Sequence, residues 1–109
     1  MLLGAFGAHA LRTRLAESAL STWETAVQYQ LIHALALIAI GLFLRLNPPT
    51  VTPVPLTVAG WSFLVGILLF SGSLYVLALG GPRLLGPITP IGGVAFVTGW
   101  IALVVAAFR

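Results

Sequence analysis

The chain has 109 residues, of which 60% are hydrophobic and only 6% are charged, whereas a soluble domain averages about 45–50% and about 25%. This composition excludes a water-soluble globule and predicts an integral membrane protein. The net charge of +3 comes from five arginines that stand singly near segment ends, so it indicates anchoring at a membrane surface and not a nucleic-acid-binding face.

Residues 1–11 form a first apolar stretch, MLLGAFGAHAL. A helix of this length rises only about 16 Å, against a hydrocarbon core of about 30 Å. We therefore expect residues 1–11 to be the C-terminal half of a membrane helix, whose first turns are absent or which ends against a neighbouring helix. Residues 12–20 follow as a polar connection, for which a short helix lying at the membrane interface is one interpretation.

Three full spans are predicted at about residues 22–46, 56–79 and 89–108. Ser21 and Glu24 have capping-box spacing at the start of the first of these spans, and Trp23 between them is typical of an interface. The four prolines of residues 47–55 predict an extended linker. Thr89 and Pro90 suit the N-cap and first position of the last helix. The prediction is an all-α membrane protein, a single domain of residues 1–109 in which four transmembrane helices form a bundle and the first is shortened.

Small residues recur at helical spacing in the last two spans. Such stripes let helix backbones approach closely in lipid. They favour packing inside one subunit, with a subunit interface as the alternative. The residues assigned to helix packing are Gly66, Gly92, Ala95, Gly99 and Ala102.

Polar side chains of all four segments fall in the same half of the membrane. With a rise of 1.5 Å per residue, Tyr29 lies about 8 Å and His33 about 13 Å beyond Glu24. This half adjoins the surface that we call side A, which carries Arg12, Arg14 and Arg83. The predicted intramembrane polar cluster consists of His9, Glu24, Gln28, Tyr29, Gln30, His33, Ser71, Ser73, Tyr75 and Thr98.

Two interpretations of this cluster are open: hydrogen bonds that hold the helices in register, or a site for a ligand, proton or ion. We expect the imidazole of His33 to be neutral at pH 7, with one ring nitrogen donating and the other accepting, whereas a conduit would require a His33 that titrates. Its expected partners are the hydroxyls of Ser71, Ser73 and Thr98, with Gln30 and Tyr29 one turn toward side A. Under the structural interpretation, Tyr29 can bond Tyr75 or Gln28.

The catalytic and cofactor chemistry that the chain offers is limited. It has no aspartate and no cysteine, which rules out a Ser-His-Asp triad and thiolate metal sites. A haem held by two histidines is disfavoured, because His9 and His33 differ in depth by about 8 Å. We predict no metal and no cofactor, and the residues do not favour an enzyme.

Four motifs, in order along nearly the whole chain, resemble the small membrane-protein family catalogued as domain of unknown function 423. The motifs are residues 4–11 (GAFGAHAL), residues 28–36 (QYQLIHALA), residues 69–75 (LFSGSLY), and residues 89–93 (TPIGG) with Gly99-Trp100. The resemblance implies four transmembrane helices in the bacterial cytoplasmic membrane, relatives in eukaryotes, and no established activity. It also implies a cytoplasmic C-terminus, so that the polar cluster opens outward. The apolar run before Gly4 is shorter than the family's.

Two functions follow as hypotheses. The first is a structural, accessory or binding subunit of a membrane assembly, whose partners are membrane lipids and either a membrane protein or further copies of this chain. The alternative is a small transporter or proton or ion conduit, lined by His9, Glu24, Gln28, Gln30, His33 and Ser73.

Overall fold

The computed structural model describes residues 1–11, 15–47 and 53–108. Within these ranges the chain forms four helices and no strand: α1 (Leu2–Leu11), α2 (Glu17–Leu46), α3 (Val54–Ala78) and α4 (Ile88–Ala107). A short 3₁₀ turn, Arg83–Leu85, precedes α4. Arg12, Arg14 and Arg109, and most of the predicted proline linker, lie outside the described residues.

The helix count confirms the predicted architecture. The spans Glu17–Leu46, Val54–Ala78 and Arg83–Ala107 are long and apolar enough to cross a membrane, while Leu2–Leu11 is shorter. The chain is therefore an all-α four-helix membrane bundle with a short first helix.

The predicted capping box was wrong, and two helices begin earlier than the approximate bounds predicted for their spans. The capping box of Ser21 and Glu24 does not form, because α2 already begins at Glu17 and both residues lie inside it. Glu17 in the first turn interacts favourably with the helix dipole, so the segment predicted as a polar connection is helical from this point. α3 begins at Val54, with Pro55 in its first turn, where a missing amide proton costs nothing.

The start of α4 differs from the prediction in the same way. Pro87, and not Thr89, occupies the N-cap position, and the helix runs from Ile88. The Thr89 hydroxyl instead forms a hydrogen bond with the Ser73 hydroxyl of α3 at 2.6 Å. The side chain thus joins two helices and does not cap its own.

Glycines bring α3 and α4 into close contact. A Cβ on Gly92 would lie 2.3 Å from the backbone nitrogen of Phe70, and one on Gly99 would lie 2.6 Å from the Phe63 ring. A Cβ on Gly66 would lie 2.3 Å from the ring of Phe96. Of the residues assigned to packing, four are buried and Ala95 is half-buried. The buried ones are Gly66, Gly92, Gly99 and Ala102.

The α3 helix changes its winding where it meets α4. Residues Ile67–Ser71 form a π-helical segment between two α-helical stretches. Such segments shift the side chains that follow them around the helix axis. Phe70, which contacts Gly92, and Ser71, which is fully buried, both belong to this segment.

Trp23 attaches α1 to the rest of the molecule. Its indole Nε1–H donates to the carbonyl oxygen of Leu3 at 2.9 Å, and its ring covers Gly7. The ring also packs against Tyr75, with centroids 4.6 Å apart. The short helix therefore lies against the beginning of α2 and the end of α3.

The central helix of the fold is α3, which packs along α4 and also contacts α2. The main apolar core forms around it, from Ile40, Ala59, Phe63, Phe96 and Ala102. α2 and α4 approach each other much less closely. The result is an open cleft between α2 and α4, with α3 as its floor.

Candidate functional site

The α2–α4 cleft has two halves that meet at Trp100. The first, the aromatic half, has a volume of about 590 Å³. Its principal lining residues are Tyr29, His33, Phe70, Gly93, Phe96 and Thr98. The second, the aliphatic half, has a volume of about 370 Å³. Its principal lining residues are Ala36, Ala39, Ile40, Phe43, Leu103 and Ala106.

The α-helical repeat explains why these residues share a cleft. Tyr29, His33, Ala36, Ile40 and Phe43 follow one another by three or four residues, so they lie along one face of α2. Residues 93, 96, 100, 103 and 107 of α4 have the same spacing and form the opposite wall. Each wall is thus a single helix face.

His33 lies at the inner edge of the aromatic half, and its side chain is only 3% exposed. Its Nδ1 is 2.7 Å from the carbonyl oxygen of Tyr29, and its Nε2 is 2.9 Å from Nε1 of Trp100. An indole N–H can only donate, so Nε2 must accept and the ring proton must be on Nδ1. His33 is therefore the neutral Nδ1–H tautomer, with one nitrogen donating and one accepting, as expected.

Of the expected partners of His33, the three hydroxyls were wrong, whereas Tyr29 does bind it, through its backbone carbonyl. Both ring nitrogens are occupied, by the Tyr29 carbonyl and the Trp100 indole, and neither binds a hydroxyl of Ser71, Ser73 or Thr98. The physical reason is that each of these hydroxyls is already bonded to a backbone carbonyl. Hydroxyls in membrane helices often satisfy themselves in this way.

Aromatic rings pack around the imidazole. The Phe96 ring stacks on His33 with centroids 3.6 Å apart and planes 12° apart, and Phe63 meets it edge-on at 5.3 Å. Tyr29 packs against Phe70 with centroids 4.6 Å apart. Such pairs add stability beyond their buried area. Tyr29, Phe70 and Phe96 are also lining residues of the aromatic half.

The remaining polar residues form separate local bonds and not one network. Ser71 donates to the carbonyl of Ala26 on α2 at 2.9 Å. Ser73 donates to Phe70 of its own helix and also contacts Thr89. Thr98 donates to Val94 one turn before it, at 2.9 Å.

Tyr75 donates its hydroxyl to the side-chain oxygen of Gln30, and this bond joins α3 to α2. Among the described residues, Tyr29 forms no side-chain hydrogen bond to Tyr75 or Gln28, so neither of these possible bonds forms. The ring of Tyr29 points along the aromatic half, where it contacts Phe70 and Phe96.

Three members of the predicted cluster lie elsewhere. His9, Glu24 and Gln28 are all exposed. Glu24 and Gln28 line a shallow groove of about 260 Å³ between α1 and α2, together with Gly4 and Ala8 of α1. The predicted cluster thus divides into the cleft, the bonds between buried helices, and an outer groove.

Trp100 is the cleft residue that reasoning from individual polar groups missed, although it belongs to a motif of the resemblance. Depth counting would have found it. Trp100 lies ten residues beyond Pro90, which places it about 15 Å from the start of the helix. That depth is close to the depth of His33, and a buried indole N–H needs an acceptor.

The described residues contain no group of three or more histidine, aspartate or glutamate side chains placed to hold a metal ion. They also contain no buried side-chain nitrogen or oxygen without a hydrogen-bond partner. Within these residues, the chemistry at the cleft is therefore that of aromatic surfaces, one satisfied imidazole, one indole N–H and the hydroxyls of Tyr29 and Thr98.

A family model described as "Protein of unknown function (DUF423)" matches residues 3–93, which run from α1 to the first turns of α4. The chain belongs to this family. Relatives that match 97–98% of the chain support the assignment. It is 48% identical to the UPF0382 membrane protein YwdK of Bacillus subtilis over 98% of this chain and 85% of the relative.

Staphylococcal proteins have about the same sequence identity to this chain. The UPF0382 membrane protein SH2409 of Staphylococcus haemolyticus is 46% identical over 97% of this chain and 83% of its own length. A UPF0382 membrane protein of Staphylococcus epidermidis is 48% identical over the same shares. No solved structure matches the chain. DUF423 proteins are thus membrane proteins whose names state no activity, and the chain's three long apolar helices agree with that class.

Proposed function

We propose that this DUF423 protein is a binding or accessory subunit of an assembly in the bacterial cytoplasmic membrane, and that the α2–α4 cleft is its binding surface. The observation that carries the proposal is the cleft itself. Two of the spanning helices stand apart along their length, and among the described residues a single side-chain hydrogen bond, from Trp100 to His33, connects them.

The cleft walls suit a tightly packed occupant. Small residues lie on both walls, namely Ala36 and Ala39 on α2 and Gly93 and Ala106 on α4. In lipid, helices and chains associate through close packing, and small residues allow the closest approach. Larger apolar groups beside them, such as Phe43 at 54% and Trp100 at 42% exposure, supply contact area.

The alternative of a conduit receives less support from the side-chain positions. A conduit needs polar groups that line one continuous path. Here Glu24 and Gln28 face an outer groove, whereas Ser73 bonds Phe70 and Thr89 at the contact of α3 with α4. His33 has both nitrogens occupied.

The proposal is tested by filling the cleft. Ala39→Phe places a ring in the aliphatic half, and Val104→Phe, at a position 56% exposed on α4 that does not line the cleft, is the matched control. Membranes of the native host are solubilised in a mild detergent, and the complexes are separated by blue-native electrophoresis. We expect the parent and the control to migrate above the monomer, and Ala39→Phe to shift to monomer mass. A monomeric parent, or an assembly that Ala39→Phe leaves intact, would overturn the proposal.

A further inference from the structure

We propose that the hydrogen bond between Trp100 and His33 is an acid-sensitive latch: it holds α2 to α4 while His33 is neutral and is lost when His33 is protonated. Loss of the bond separates the two walls of the cleft, so acid weakens the assembly that binds there. The inference rests on the proposed function, because it adds a regulation to the same cleft.

Both ring nitrogens of His33 are occupied, which makes the bond sensitive to a proton. Nδ1–H donates to the carbonyl oxygen of Tyr29 at 2.7 Å, and Nε2 accepts from the Trp100 indole at 2.9 Å. A proton can be added only at Nε2, where it turns the acceptor into a second donor. Two N–H groups would then face each other at this distance, so the bond does not survive protonation.

Few other contacts hold α2 to α4. Among the described residues this is the one side-chain hydrogen bond between these helices, which approach each other much less closely than either approaches α3. By contrast, α3 packs closely along α4, where Gly92 contacts the Phe70 backbone and Gly99 the Phe63 ring. Loss of the bond therefore releases the α2–α4 side of the bundle and leaves the α3–α4 contact in place.

The surroundings of His33 supply no other group that titrates near neutral pH. The aromatic side chains packed against it are Tyr29 of α2, Phe63 of α3, and Phe96 and Trp100 of α4. None of them is charged, and a phenol such as that of Tyr29 ionises only in alkali. Phe96, whose ring centroid is 3.6 Å from that of the imidazole, presents a π-face that stabilises a positive charge.

The described charged and titratable groups lie elsewhere. Along α2, Glu24 and Arg45 are about 13 Å and about 18 Å from His33. Arg83 belongs to the turn before α4, and His9 is exposed on α1. Imidazole is the side chain whose charge ordinarily changes between about pH 5 and pH 8. His33 is thus the group through which acid acts on the α2–α4 contact.

The test measures the distance between α2 and α4 as the pH falls. The chain has no cysteine, so nitroxide labels at Leu42→Cys and Val104→Cys report this distance without background. These positions are 54% and 56% exposed. Labels at Val58→Cys and Val104→Cys report the α3–α4 distance as a control. In phospholipid nanodiscs titrated from about pH 8 to below pH 5, we expect the α2–α4 distance to increase with the slope of one proton, and the α3–α4 distance to stay constant.

Two matched glutamine variants identify the group that titrates. His33→Gln keeps a donor and an acceptor but cannot be protonated, so its α2–α4 distance should not depend on pH. His9→Gln removes the exposed histidine and should titrate like the parent. Trp100→Phe has no indole donor and should show the longer α2–α4 distance at every pH. A constant α3–α4 distance shows that each variant remains folded.

The effect on the assembly is measured separately. Complexes solubilised from native membranes are equilibrated near neutral pH and near pH 5, and size-exclusion chromatography gives the ratio of assembled to monomeric chain. For the parent we expect this ratio to fall at least about fivefold in acid, the effect of one lost buried hydrogen bond. For His33→Gln the ratio should not depend on pH.

Three results would overturn the inference. The first is a parent whose α2–α4 distance stays constant over the whole pH range. The second is an equal increase in His33→Gln, which would assign the change to another group. The third is an increase in distance that leaves the assembly intact in acid. A parent that is monomeric at every pH would remove the proposed function, and the labelled distances alone would then confirm or overturn the latch.

Discussion

Trp100 on α4 donates its indole N–H to Nε2 of His33 on α2, across a distance of 2.9 Å. Among the described residues it is the one side-chain hydrogen bond between these two helices. It also places the boundary between the two halves of the cleft, because Trp100 lines both. The bond therefore both connects the two helices and lies where the two halves of the cleft meet.

Trp100→Phe tests the contribution of this bond. The variant keeps an aromatic ring but leaves the buried Nε2 of His33 without a donor, so we expect a loss of about 1–2 kcal/mol in the free energy of unfolding. Trp61→Phe is the control, since Trp61 is 65% exposed and has no hydrogen-bond partner among the described residues. Unfolding in mixed detergent micelles measures both. Equal stabilities for the two variants would contradict a structural role for the bond.

Alanine substitutions at two adjacent glycines near the start of α4, Gly92 and Gly93, should have different effects on the free energy of unfolding. In Gly92→Ala the new Cβ would lie 2.3 Å from the Phe70 backbone nitrogen, so α3 and α4 must separate. We expect a loss of about 1–3 kcal/mol. In Gly93→Ala the nearest atom is 3.9 Å away, so the higher helix propensity of alanine should leave stability unchanged or raise it by up to about 1 kcal/mol. The same unfolding assay compares them, and a destabilised Gly93→Ala would show that this packing is misassigned.

Ser71 and Thr98 allow the contribution of a hydrogen bond between two helices to be compared with that of a hydrogen bond within one helix. Ser71 is fully buried and donates to Ala26 of another helix, so Ser71→Ala should cost about 1 kcal/mol. Thr98 is exposed and donates to its own helix, so Thr98→Val should change stability by less than about 0.5 kcal/mol. Thermal unfolding of the two variants in one detergent is the measurement. A larger loss from Thr98→Val than from Ser71→Ala would reverse this assignment.

Trp23 should control the attachment of α1. Trp23→Phe removes the hydrogen bond to the Leu3 carbonyl while keeping most of the ring that covers Gly7. We expect a loss of about 1 kcal/mol in the local stability of α1. Such a loss raises the population of its locally open state about fivefold. Hydrogen exchange followed by mass spectrometry should show faster exchange in residues 2–11 and no change in α3. Faster exchange across all helices would show instead that Trp23 stabilises the whole bundle.

Composition and pattern were enough to predict the class of the protein and its four helices. Long apolar segments separated by arginine, proline and glycine leave few alternatives in lipid, where every backbone polar group must be satisfied within the helix. The starts of the helices were less predictable. Ser21 has the chemistry of a cap, but the residues before it also favour a helix, and Thr89 has a competing partner in Ser73.

The depth of each polar group was determined by the sequence, because the rise per residue of a helix is constant. Depth counting placed His33 level with hydroxyls on other helices, and the same count places Trp100 there too. It cannot say which of these groups meet. That depends on how each helix is rotated about its axis, which the packing of Gly92 on Phe70 and of Gly99 on Phe63 decides for α4. Only this tertiary contact brings the Trp100 indole to His33, while the Thr98 hydroxyl bonds the Val94 carbonyl of its own helix.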